Sequence, residues 1–127
     1  MTVQLTKDSI DLGIHVKNPD KSLAFYRDTL GLRFLFDAGN LTFFDCGGVR
    51  LMLSPPEKPE FDHPSSTLYF NVADIKAAQA QLASRGVKFE DQPHVIARLT
   101  DREIWMTFFR DSEQNLMALM SEVPLRR

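Results

Sequence analysis

The chain carries one cysteine, Cys46, in 127 residues. A single thiol excludes an internal disulfide and suits a reducing compartment. No apolar run approaches the roughly 18 residues of a membrane span, so a membrane is not an expected partner. Charge of one sign is also scarce. The 15 Lys and Arg stand against 17 Asp and Glu, a formal net charge of -2, and without a basic footprint nucleic acid is a poor partner. Met1 to Asp8 lack the basic-then-apolar layout of a secretory signal. These absences converge on a cytoplasmic protein. No phosphate loop or dinucleotide glycine pattern occurs, and Gly47-Gly48 reads as a hairpin turn. Arg126-Arg127 reads as a solvated tail.

What is present is an ordinary globular composition, 43% hydrophobic and 25% charged, in a chain long enough to bury a core. Ile10 to Val16 reads as a strand. Asn18 is a good N-cap and Pro19 suits the first turn of a helix whose face carries Leu23, Tyr26, Arg27 and Leu30, closed by Gly31. Strands follow at Leu32–Asp37, Asn40–Asp45 and Val49–Ser54, with glycine turns between them. Residues 55–66 hold four of the seven prolines, which marks a linker, since proline cannot donate to a sheet ladder. The order then begins again. Thr67–Val72 reads as a strand, Asp74 as an N-cap, and Ile75, Ala78, Gln79 and Leu82 as a helical stripe ended by Gly86. Val87–Glu90 reads as a strand, with a possible extension through His94–Arg98, and Ile104–Arg110 and Leu116–Ser121 form a closing hairpin.

The halves overlay. Leu12–Val16 matches Leu68–Val72 at an offset of 56. Gly31 and Phe34 match Gly86 and Phe89, Phe43–Asp45 matches Phe109–Asp111, and Leu51–Leu53 matches Met117–Leu119. Two copies make an internal duplication rather than a solenoid. The organisation is one α+β domain with module one at 10–54, a linker at 55–66 and module two at 67–123.

Two segments carry a family resemblance. Ser22-Leu-Ala-Phe-Tyr-Arg-Asp-Thr-Leu-Gly-Leu32 is similar to the first-helix motif S-x-x-F-Y-x-x-x-L-G-L of the vicinal-oxygen-chelate superfamily, which includes glyoxalases, bleomycin-resistance proteins and extradiol dioxygenases. Phe109-Arg-Asp-Ser-Glu-Gln-Asn-Leu-Met-Ala-Leu119 resembles its closing hairpin, F-x-D-P-D-G-N-x-x-E-L. With Val72-Ala-Asp74 the resemblance spans about Ile10 to Val123. It implies two βαβββ modules forming a half-open barrel, a ligand in its mouth, and a homodimer.

Metal-dependent members hold a divalent ion with His and Glu from the first and last strands of each module. Carried over by position, the His slots fall on Asp11 and Thr67 and the Glu slots on Met52 and Ala118. Met and Ala cannot bind a hard cation and Thr is a weak ligand, so the inherited metal site is expected to be absent and no cofactor is implied. The three histidines do not rebuild it. His15 would stand about 13 Å from Asp11 along one strand, His63 lies in the linker, and His94 is on another segment, with no chelating spacing among them.

Side chains alternate along a strand. The face of the metal slots therefore also carries Gly13 and His15, Arg50 and Ser54, Tyr69 and Asn71, and Leu116 and Met120. His15 and Arg50, polar on a face expected to be enclosed, are candidate ligand anchors. An enclosed Arg50 requires a partner, Asp11 or an anionic ligand group. Met52, Ala118 and Met120 are better explained as core than as ligand contacts, and so is Trp105. Cys46 reads as a spare thiol. The expected function is binding of a small organic ligand without metal, similar to bleomycin-resistance-type proteins. The alternative is a lyase, isomerase or dioxygenase with a displaced metal or an acid–base site at Asp11 or His15.

Overall fold

The computed structural model describes residues 10–125, so the readings of Met1–Asp8 and of Arg126-Arg127 lie outside the described residues. The chain forms two compact units, 1–65 and 66–127, each with one four-stranded sheet. Among the described residues no helix is long and apolar enough to cross a membrane.

The first unit runs β1 (Asp11–His15), α1 (Pro19–Ala24), β2 (Arg33–Ala38), β3 (Leu41–Cys46) and β4 (Val49–Ser54). Its sheet order is β1-β4-β3-β2, with β1 parallel to β4 and the other pairs antiparallel. Asn18 caps α1 through Oδ1, which accepts from the Lys21 N–H at 3.1 Å, and Pro19 opens the helix as expected. At Phe25 the α-helix passes into a π-helical turn, Phe25–Thr29, and Gly31 ends it at φ 78°. The buried helical residues are Ser22 and Tyr26, both 0% exposed. Arg27, expected on that face, is exposed instead and pairs with Asp28 at 2.8 Å, because the charged head gains nothing in an apolar layer. Tyr26 meets Phe44 at 5.9 Å between ring centroids, and Phe34 meets Phe44 edge-on at 6.1 Å. Ile14, Val16, Leu51 and Leu53 complete this core.

The second unit repeats the plan with β5 (Leu68–Asn71), α2 (Ile75–Ser84), β6 (His94–Arg98), β7 (Arg102–Arg110) and β8 (Leu116–Pro124), in sheet order β5-β8-β7-β6. Asp74 caps α2 by accepting from the Ala77 N–H at 3.1 Å, and Gly86 stands beyond its end at φ 95°. Gln79, polar within the helical stripe, donates to the Asp91 carbonyl and to Thr107 Oγ1, which binds Asp91 in turn. Ile75, Val87, Phe109, Met117 and Leu119 are buried. One expectation fails here. Val87–Glu90 is not a strand and keeps only an isolated bridge, Phe89↔Phe109. The Glu90 N–H donates to the Phe108 carbonyl at 2.7 Å, but the Phe108 N–H is taken by the Asp91 side chain at 3.0 Å, so a carboxylate stands where a backbone acceptor would continue the ladder. The strand itself is the proposed extension, His94–Arg98.

The duplication extends to backbone detail. The Val16 N–H donates to the Ser54 carbonyl at 3.0 Å and the Val72 N–H to the Met120 carbonyl at 2.8 Å. The edge strands β2 and β6 each slip register once, at Phe34/Phe36 and at Val95/Ala97, and such bulges discourage edge-to-edge pairing. Asp45 and Asp111 hold the equivalent hairpin turns, accepting from Gly48 and from Glu113 and Asn115.

In the second of these turns Gln114 has φ 68° where the resembled motif carries glycine. A left-handed backbone costs an L-residue roughly 1–2 kcal/mol, against roughly 0.5–1 kcal/mol for the greater freedom glycine loses on folding. Gln114→Gly is therefore expected to raise stability by about 0.5 kcal/mol. A higher urea midpoint at unchanged slope checks it.

Candidate functional site

In the first sheet, alternation separates a helix-covered face from an open one. Ile14, Leu51 and Leu53 go under α1 and are buried. The register sets Asp11 opposite Arg50, Gly13 opposite Met52 and His15 opposite Ser54, and β3 adds Phe43 opposite Met52 and Asp45 opposite Arg50. The expected grouping of Asp11, Gly13 and His15 with Arg50, Met52 and Ser54 is thus the one the register makes.

At the end of this face where His15 and Ser54 lie, the chain lines a half-open recess of about 570 Å³. Its walls are His15, Met52 and Ser54 from the sheet, Asn40 and Leu41 from the β2–β3 turn, and Pro55, Pro56, Glu57 and Phe61 from the linker. The linker is more than a connection. It turns through a short 3-10 helix, Pro59–Phe61, and brings His63 edge-on to His15 with ring centroids 5.5 Å apart. The His15 N–H donates to Ser65 Oγ at 3.2 Å. Neither the His15–His63 contact nor the Phe61 wall was expected. The signal for Phe61 was a large aromatic placed among prolines and charges, where a solvated linker has no use for one.

Arg50 and Asp11 lie on the same face but outside the recess wall. Arg50 Nε and Nη2 both donate to Asp11 Oδ2, at 3.0 and 2.8 Å, and the guanidinium lies over Phe43 at 4.7 Å and Phe36 at 5.9 Å. Arg50 was expected to be enclosed, yet its side chain is 46% exposed. Its carboxylate partner is internal, so no ligand anion is needed to neutralise it. Stacked rings and one carboxylate make it a brace between β1, β4 and β3, and a half-exposed pair of this kind contributes little to stability.

The remaining predicted positions belong to the second unit. Thr67 precedes β5 and is half-buried, while Tyr69 and Asn71 are exposed on it. Ala118 pairs with Tyr69 and Phe108 across the sheet and is 0% exposed. Ala118 is thus core, as its small apolar side chain on a central strand allows, and offers no surface to a ligand. Trp105 is half-buried, with Lys76 of α2 over its ring at 5.3 Å, and does not belong to the buried core.

The four inherited ligand positions do not fit a hard cation. Asp11 is engaged by a guanidinium, Met52 offers a thioether, Ala118 is buried carbon, and Thr67 has only a hydroxyl. Among the described residues no group of three or more His, Cys, Asp or Glu is placed to hold a metal ion. Cys46 is half-buried, and burial followed by the charge of Asp45 pushes its thiol pKa up, the opposite of an activated nucleophile.

Comparison with known proteins agrees with this architecture. The family model described as Glyoxalase/Bleomycin resistance protein/Dioxygenase superfamily matches residues 9–119. No curated protein is significantly similar in sequence. Among solved structures, a superfamily member from Sphaerobacter thermophilus is 25% identical, with TM-score 0.72 over 88% of this chain and 94% of its own. A virulence protein from Salmonella typhimurium is 21% identical, with TM-score 0.73 over 97% and 100%. A lactoylglutathione lyase from Agrobacterium tumefaciens is 20% identical, with TM-score 0.70 over 88% and 91%.

Proposed function

We propose, on the premise that this chain belongs to the Glyoxalase/Bleomycin resistance protein/Dioxygenase superfamily, that it binds a small organic molecule in the first-unit recess without a metal at the inherited positions. The observation that carries the reading is the recess itself. Its volume of about 570 Å³ falls in the range of small-molecule sites, and its wall mixes apolar surface with a few polar groups, as such sites do. Binding and sequestration need nothing more than this. On the same family basis the protein is proposed to act as a homodimer, and its single cysteine supports a proposed place in the reducing cytoplasm. Acid–base catalysis is the second reading, and it rests on the His15 imidazole in the recess wall, Asp11 being tied to Arg50.

A thermal-shift screen of small metabolites tests the reading against a filled recess, Met52→Trp. A ligand at 100 times its Kd stabilises the native state by about 2.7 kcal/mol, and that gain is expected to vanish in Met52→Trp while the unliganded variant still unfolds cooperatively. Hits that survive the substitution place binding elsewhere. Elemental analysis of protein purified without chelators is expected to give well under one transition metal per chain. One equivalent would overturn the metal-free reading.

A further inference from the structure

The chemistry of the recess wall favours one ligand charge over the others. Of its nine residues, none is Lys or Arg, one is the imidazole His15, and the one carboxylic side chain is Glu57. Asn40 and Ser54 add neutral polar groups, while Leu41, Met52, Pro55, Pro56 and Phe61 supply apolar surface and a flat ring. The linker that forms the outer wall carries Glu57, Glu60 and Asp62 against one cation, Lys58. Lys58 is stacked on Phe61 with its ammonium 5.7 Å from the ring centroid, and Lys17 reaches Asp62 at 3.8 Å. Among the described residues no ion pair engages Glu57, and the guanidinium on the same sheet face is held by Asp11.

Resting on the reading that this recess is the binding site, we infer that its ligand is an organic cation: a protonated amine on an apolar or aromatic body. The ammonium lies toward Glu57 and the acidic linker, and the body packs on Met52, the prolines and Phe61. An anion finds no Lys or Arg among the wall residues, where His15 is the one nitrogen base and Lys58 is held over Phe61, and it meets the Glu57 carboxylate. A neutral molecule fits the volume but forgoes the charge.

Three probes with one body separate these cases: tryptamine, tryptophol and indole-3-acetate, titrated at pH 8, where an ordinary imidazole is neutral and the amine is charged. Methionine-methyl NMR reads binding at the recess, with the Met52 signal among the five methionines assigned by its loss in Met52→Leu. Tryptamine is expected to shift the Met52 signal and to bind about tenfold tighter than indole-3-acetate, with tryptophol between them, as for charges in a partly screened site. Glu57→Gln should cut the amine's advantage over the alcohol by about threefold. Equal or tighter binding of the acid at Met52 overturns the cation assignment and leaves the recess standing. Tryptamine binding without a Met52 shift overturns the recess as the site. If none of the three shifts Met52 at millimolar concentration, the inference fails, whereas the recess reading falls only if the wider screen is also empty.

Discussion

Phe44→Ala is expected to lower the unfolding free energy by about 3–5 kcal/mol. The ring is 0% exposed and sits between Tyr26 of the π-helical turn and Phe34 of the edge strand. Truncation removes the buried ring and leaves a cavity that these neighbours cannot fill, because Tyr26 is held by its helix and Phe34 by its bulged strand. A change of this size is a large part of the stability of a domain of this length. Urea unfolding measures it, with Val49→Ala, on a residue 40% exposed, as the control expected to change by less than about 1 kcal/mol. A loss below about 1.5 kcal/mol for Phe44→Ala would mean that the helix does not pack on β3 as described.

Asp111→Ala should cost about 2–4 kcal/mol. The residue is 3% exposed and its carboxylate organises the β7–β8 turn. Oδ1 accepts from the backbone N–H groups of Glu113 and Asn115, each at 2.8 Å, and Oδ2 accepts from the Asn115 side-chain amide at 2.9 Å. Alanine leaves these part-buried donors without their acceptor, and donors withdrawn from water and left unsatisfied are costly. Asp111→Asn separates shape from charge. Its amide oxygen still accepts from the two backbone donors, but its NH2 faces the amide of Asn115, so about 1–2 kcal/mol is expected. Equal losses for Ala and Asn would assign the role to the negative charge alone.

Much of the architecture was legible because it is written in local chemistry. Asn18-Pro19 and Asp74 start helices through side-chain oxygens, and Gly31 and Gly86 end them at positive φ. These devices act within a few residues and leave direct marks in sequence. The repeated order of elements was readable for the same reason. Val87–Glu90 was misread because its pairing with β7 stops at one bridge, where the Asp91 carboxylate takes the Phe108 N–H, and a strand-like composition does not reveal whether a ladder forms. Gln114 at φ 68° was equally hidden, since its conformation is imposed by the Asp111 turn and not by its own preference.

The candidate site divides along the same line. Alternation along a strand is a local rule, so the sequence by itself grouped Asp11 with His15 and Arg50 with Met52, and the resemblance, through its metal slots at Asp11 and Met52, implied that the two sets share a face. It also determined that Met52 and Ala118 cannot serve as ligands to a hard cation, because that is a property of the side chains wherever they lie. Only the tertiary structure decided what those side chains meet. The β1–β4 register put Asp11 against Arg50 and so removed the guanidinium as a free anchor. The turn at Pro59–Phe61 brought Glu57 and Phe61 to one wall of a half-open recess and His63 against His15. Such contacts depend on the path of the chain between residues about 40 to 50 positions apart, and no short-range preference encodes that path.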